Sequence, residues 1–402
     1  MTARAAVLAL ALLGGCELIA DIPSSSSSTH SDDAGGGGDD VIGDDSGGSS
    51  GDADSSMLEC TVNPDCTTAA KPTCSADHVC RACQIDTDCG TTGVCMLDGT
   101  CAAAARIMYV SPTGTGAACS TAAPCALDQA VSLIAAGRDV IKLAPTMYDR
   151  TTTLAVAPAV PVLIAGEGAT IRNLVSAMFG FTWTSNGDVT FTGVTFDHNA
   201  KFGSECLGGK LTLSRVTMRS ALLAFFAAAA CDVTAERTVW TGNQLYSISI
   251  PDGVSTLHIR NSLFANNGTT DNTISQIFLQ DAGLVGEIEN TTIANNLSDT
   301  QPSINCTGPF TVRNVISFGN TAPPSAACAV SYSDVEAGFG GANNHNVTLG
   351  PAFVGATDYH LQATSPVRGI GDPANVLPLD YDFQPRPQPA GSAPDLGFDE
   401  VP

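Results

Sequence analysis

Six charged residues in the middle of the chain have the types and spacing for chemistry on an acidic or hydroxylated ligand: Glu205, Arg215, Asp232, Glu236, Arg237 and Arg260. Two guanidiniums beside a carboxylate can clamp a carboxylated sugar, and an arginine whose environment forces it can act as a base. A stripe of surface charge that keeps a sheet face soluble explains the same residues and is the preferred reading. His198, His258, His345 and His360 stand too far apart in sequence for a metal motif, so no metal is assigned. Asp86-Thr-Asp88 and Asp380-Tyr-Asp382 offer carboxylate pairs to calcium, yet neither completes a loop site. Phe179, Phe181 and Trp183 alternate. They form either a sugar-stacking platform or an internal aromatic stack, and the internal stack is favoured.

Eight of the fifteen cysteines lie between Cys60 and Cys101, as Cys60, Cys66, Cys74, Cys80 and then Cys83, Cys89, Cys95, Cys101. In each quartet five residues separate first from second and third from fourth, and an aspartate (Asp65, Asp88) precedes the second. This is a duplicated module over 59–102, too small to hold a core without staples. Its spacing resembles the cysteine-rich repeats of exported proteins in large-genome bacteria. Cys80-x-x-Cys83 has zinc-ligand spacing, but no second such pair follows and disulfides are favoured. The pairing within the eight stays open. Of the other six, Cys119 and Cys125 share a loop, and Cys206–Cys231 and Cys306–Cys328 are separated by about one structural repeat. Three further disulfides are expected there.

The remaining cysteine, Cys16, belongs to the N-terminus. Arg4 is followed by the apolar run 5–13, too short to span a bilayer, and then by Leu13-Gly14-Gly15-Cys16. These residues resemble the lipobox of bacterial lipoproteins. The resemblance implies a signal peptide over 1–15, lipid on Cys16 and export to an oxidising compartment. Glu17 rather than aspartate follows, which points to the outer membrane. Residues 16–58 are Ser, Gly and Asp with no Lys or Arg, a composition expected to stay disordered as a tether. Much of the net charge of −23 therefore resides in that linker. The mildly acidic remainder argues against nucleic acid as a partner.

From Arg106 the sequence repeats. Val189–Phe196, Leu211–Met218, Val233–Trp240 and Leu257–Phe264 align without gaps, and Glu287–Ile293 and Thr311–Ser317 follow. The equivalent residues Gly193, Arg215, Arg237, Asn261, Asn290 and Asn314 recur every 22 to 29 positions. Alternating apolar and polar residues rich in Val, Thr and Phe, broken at Gly, Asn or Asp, describe coils of a parallel β-helix. Leucine-rich repeats share the period but not the absence of a helix in each repeat. Arg215 and Arg237, at one register position, would stack one strand spacing apart, about 5 Å. Six residues past each register position stand Asn199, Ala221, Asn243, Asn267, Asn296 and Asn320. The five asparagines are expected to take left-handed turns and to hydrogen-bond from coil to coil as a ladder.

Both ends look protected. Leu127, Ala130, Val131 and Ile134 share one helical face before Gly137, so a short helix should cap the first coil. With Met108–Gly116 before it, and Asp139–Pro145 and Val162–Gly168 after, this order resembles the opening of pectate-lyase-like right-handed β-helix proteins. Tyr332–Val335, Pro351–Phe353, Tyr359–Leu361 and Pro394–Glu400 resemble the terminus of the choice-of-anchor β-helix group. The resemblance covers 106–400 and implies fold while saying little of activity. The base-and-calcium motifs of pectate lyases and the paired-aspartate motifs of polygalacturonases do not occur in this sequence. The sequence thus reads as an all-β, lipid-anchored, non-catalytic envelope protein that binds glycan or a surface protein. A carbohydrate-active enzyme and an inert spacer are the alternatives, and no cofactor beyond possible calcium is implied.

Overall fold

The computed structural model describes residues 59–402 except 176–178, 184–186, 228–229, 252–255, 337 and 348. The expected signal peptide, Cys16 and the expected tether lie outside the described residues. The chain divides into Met1–Ser56 and Met57–Pro402, and everything below concerns the second unit.

Three parallel sheets of ten, nine and seven strands form the sides of a solenoid, and a full coil gives one strand to each side. The alternation seen in sequence produces this directly. One inward row on the ten-stranded sheet runs Met108, Ile141, Ile164, Phe191, Leu213, Ala235, Ile259, Ile288, Val312 and Val330, each paired with the next and all buried. The nine-stranded sheet stacks Tyr148, Ile171, Phe196, Met218, Trp240, Phe264 and Ile293 in the same way. Because side chains alternate across a strand, the intervening residues face outward.

Two corners close each coil. At the first, between the ten- and nine-stranded sheets, Arg215, Arg237, Asn261, Asn290 and Asn314 take left-handed φ of 45 to 55°. At the second, the left-handed residue is Ser220, Gly242, Asn266, Asn295 or Gly319, and the ladder residue comes immediately after it. The ladder itself has four rungs. Asn243 Nδ2 donates to Asn267 Oδ1 (3.0 Å), Asn267 to Asn296 (2.9 Å) and Asn296 to Asn320 (2.9 Å). Each amide also donates to a carbonyl one coil back, those of Met218, Trp240, Phe264 and Ile293. Two expectations are corrected here. The ladder asparagines are not the left-handed residues, because a buried amide must point along the axis while its predecessor turns the chain. Asn199 is not a rung: it is exposed with φ 48°, and its N–H bonds Asp197, because Ala221 offers it no amide to continue the series.

The ends are closed by separate devices. The helix Leu127–Ser132 packs Leu127 and Ala130 into the first coil. Beyond the last coil, Phe339 packs against the core and His345 pairs with Asp334 in a β-bridge. The remaining segment, 351–402, does not sit on the end. It lies along the outside of the nine-stranded sheet, burying Ala265 and Ala294 under Tyr359 and Phe398, and Ile316 under Leu361, Val367 and Leu396.

All seven disulfides fall among the described residues. The eight clustered cysteines pair first-to-third and second-to-fourth within each repeat: Cys60–Cys74, Cys66–Cys80, Cys83–Cys95 and Cys89–Cys101. The others join Cys119 to Cys125, Cys206 to Cys231 and Cys306 to Cys328. The last two link the end of a seven-stranded-sheet strand to the entry of a ten-stranded-sheet strand one full coil further along. The second cysteine-rich repeat docks on the ten-stranded sheet, packing Val94 against Ile107, Val140, Leu163 and Ala165. Lys142 donates to the Thr91 and Gly93 carbonyls, and Tyr109 Oη to the Thr92 carbonyl (3.0 Å).

Candidate ligand faces

Past the docked repeat, the outer face of the ten-stranded sheet is open. One outward row continues as Thr190, Thr212, Thr234, His258, Glu287 and Thr311. The next runs Thr192, Ser214, Glu236, Arg260, Glu289 and Arg313, so alternate charges sit one strand spacing apart. Arg260 bonds Glu287 and lies 3.6 Å from Glu289, while Arg313 reaches Glu289 at 3.0 Å and Glu287 at 3.5 Å. His258 Nδ1 lies 3.4 Å from the same Glu287. Burial alone would raise the Glu287 carboxyl, but Arg260 and His258 outweigh it and hold the group below its usual range. Glu289 is more deeply buried, and burial raises it in spite of Arg313. Like-charged neighbours are separated by opposite ones, so the cluster is neutralised from within.

The residues singled out in the sequence are only partly brought together. Arg215 and Arg237 do share a corner position, but neither presents a free guanidinium. Arg215 bonds Glu167 and Thr192 Oγ1. Arg237 is buried: its Nε donates to the Asp380 carbonyl (2.7 Å), it bonds Glu236, and Phe383 covers it at 4.4 Å. The C-terminal segment therefore occupies the place where Arg237 would meet a ligand, which a repeat pattern alone could not foretell. Of the ligand face expected from Arg215, Arg237, Glu236 and Arg260, only Glu236 and Arg260 remain on the open sheet. Asp232 sits there too and accepts from Thr256 Oγ1 (2.8 Å), whereas Glu205 lies on the seven-stranded sheet.

Three of the four calcium-candidate carboxylates accept backbone hydrogen bonds, and the fourth, Asp382, faces His360. Asp86 Oδ1 accepts from Cys95 N, and Asp88 Oδ2 from Gln84 N and Ile85 N. Asp380 accepts from Asp382, Gln384 and Glu400 N–H groups. The histidines separate by environment. His198 is fully buried beside Phe181 and Phe196 with neither nitrogen bonded, and burial drives it down to about 3. His345 Nε2 contacts the Ile370 carbonyl (3.1 Å). Around His360 residues 358, 382 and 399 converge in the fold.

A second face was missed in the sequence. Phe181 and Trp183 point inward and are buried, but Phe179 does not join them. It stacks on Phe226 (5.9 Å) and meets Phe202 edge-on (5.7 Å), all three only half-buried. One outward row of the seven-stranded sheet reads Thr182, Glu205, Phe226, Ser249, Phe278 and Asn305, and Tyr246 packs against Phe278 at 5.3 Å. Phe226 and Phe278 at outward positions of their strands were the available signal. Variable loop lengths hid the register of those strands.

No family model matches this sequence, and no curated protein matches it. A solved structure, that of pectate lyase Pel9A, aligns over 75% of this chain and 97% of its own, with 16% identity and a TM-score of 0.44. At that level of agreement nothing about a site or an activity passes from it to this chain. The β-helix rests on the strand pairings above.

Proposed function

We propose that this is a non-catalytic binding protein, lipid-anchored through Cys16 on the outer membrane of a bacterial envelope, whose β-helix takes an extended glycan along the outer seven-stranded face. The observation that carries this reading is the half-exposed aromatic line Phe179, Phe202, Phe226, Tyr246 and Phe278. Rings spaced along a rigid solenoid offer apolar surface to successive sugar faces, and Glu205 and Asn305 beside them supply polar contacts. The anchor is supported by the Leu13-Gly-Gly-Cys16 sequence and by the seven disulfides, which account for every other cysteine.

A glycan array probed with the full chain tests the reading. Binding should fall at least tenfold in Phe226→Ala with Phe278→Ala and hold in Arg260→Ala. Equal binding by the aromatic variant, or no binding to any glycan, rejects it. A second reading, a carbohydrate-active enzyme at the ten-stranded face, is favoured only by the His258–Glu287 pair beside Arg260. Release of unsaturated or reducing sugar ends that is lost in Glu287→Gln would establish it instead.

A further inference from the structure

Three stretches of the C-terminal segment that are far apart in sequence converge at one point. Backbone pairing brings them there: Tyr381 N donates to the Phe398 carbonyl (3.0 Å), Glu400 N to Asp380 Oδ2 (3.0 Å), and Leu361 N to Asp399 Oδ2 (2.7 Å). His360 then lies against Phe398 (5.0 Å) and Tyr381 (6.3 Å), which shield one side of its ring. Its Nε2, an Asp382 oxygen and an Asp399 oxygen all lie within 4.8 Å of one another.

Nδ1 and Nε2 of this ring have different surroundings. Nδ1 is held by Asp358 Oδ1 at 2.6 Å, the arrangement in which a carboxylate fixes a histidine so that the other nitrogen faces a metal. Nε2 is closed to solvent and has no hydrogen-bond partner of acceptable geometry, although Asp382 Oδ2 is 2.9 Å away. The Asp382 oxygen thus faces Nε2 as an ion-pair partner off the hydrogen-bond line, the placement that a cation shared between them would use.

We propose that His360, Asp382 and Asp399 bind a single divalent transition-metal ion of the zinc type, cross-linking three stretches of the C-terminal segment. One imidazole nitrogen with two carboxylate oxygens suits such an ion better than calcium, which prefers six or more oxygens. Zinc-to-donor distances of about 2.0–2.2 Å place tetrahedral donors roughly 3.3–3.6 Å apart, so the 2.9 Å edge between Nε2 and Asp382 opens slightly on binding. A fourth position stays open to water.

Calorimetric titration of the full, disulfide-bonded chain with zinc chloride, free of affinity-tag histidines, tests this. Saturable binding of one ion per chain is expected, at least tenfold weaker in His360→Ala and in Asp382→Asn. Asp382→Asn keeps the side-chain volume, so the test stands if His360→Ala fails to fold. Absence of saturable binding, or binding of equal strength in both variants, overturns the site.

Discussion

The two halves of the nine-stranded sheet share a backbone and differ in what they show outward. Along one outward row the early coils read Asp149, Arg172, Asp197 and Arg219, paired in sequence by Arg172–Asp149 (2.8 Å) and Arg219–Asp197 (3.1 Å). The same row continues as Thr241, Ala265, Ala294 and Phe318. The first half faces water, and the second lies under Tyr359, Phe398 and their neighbours. The corners change with the faces, since the asparagine ladder begins at Asn243 and runs only through the later coils. A repeated fold can thus carry two surfaces, and the outward row decides which part of the chain covers it.

The comparison breaks most sharply at Ala294, fully buried beneath the C-terminal segment. Ala294→Arg would bury an unpaired charge and should cost about 3–5 kcal/mol, releasing the segment. Limited proteolysis should then cut within 351–402 while the solenoid persists; unchanged protection would mean that the contact holds nothing. Asn267→Ala comes next. It removes donors to Trp240 O and Asn296 Oδ1 and the acceptor for two bonds from Asn243, a loss of about 2–4 kcal/mol by chemical denaturation. Asn199→Ala, in the half without a ladder, should stay within about 0.5 kcal/mol.

The halves should also respond to pH in opposite senses. His198 in the early coils is held near 3, below its unfolded value of about 6.5, so its effect on stability is absent above 6.5 and grows as pH falls toward 3. His198→Phe should flatten that acid slope of up to about 1.4 kcal/mol per pH unit. In the C-terminal segment Glu400 is raised to about 7 by burial, opposed by Arg386, and His360 to about 9. Their contributions are full at low pH and are lost as pH rises through 7 and 9. Thermal midpoints from pH 4 to 10 should show the upper losses vanish in Glu400→Gln and His360→Phe. An identical profile in the variants would discard the assignment. Arg172→Ala, at a solvent-exposed pair, should leave the thermal midpoint almost unchanged.

Much of this was legible in the chain. The gapless alignment of Val189, Leu211, Val233 and Leu257 is the pairing register itself, because one residue of slip would turn every apolar side chain outward. The separations of Cys206 from Cys231 and of Cys306 from Cys328 placed each pair on neighbouring coils. The docking sites were written in the outward rows as well: Ile107, Val140 and Leu163 under the second cysteine-rich repeat, and Ala265 and Ala294 under the C-terminal segment. What stayed hidden depends on which remote segment arrives. The burial of Arg237 requires Phe383, and the surroundings of His360 require residues 382 and 399, none of which shares its periodicity.

The first-to-third and second-to-fourth bonding of the cysteine-rich repeats has a mechanical consequence. Tension applied to the chain ahead of Cys60 passes to Cys74 through a covalent bond and again from Cys83 to Cys95, bypassing the loops between. Those loops cannot pay out, although each residue would otherwise lengthen an extended chain by about 3.3–3.6 Å. The load arrives at the second repeat, whose grip on the solenoid through Val94 and the Lys142–carbonyl contacts becomes the first non-covalent joint in the line. Under shear the module behaves as an inextensible link, and a reducing environment would turn it into a spring.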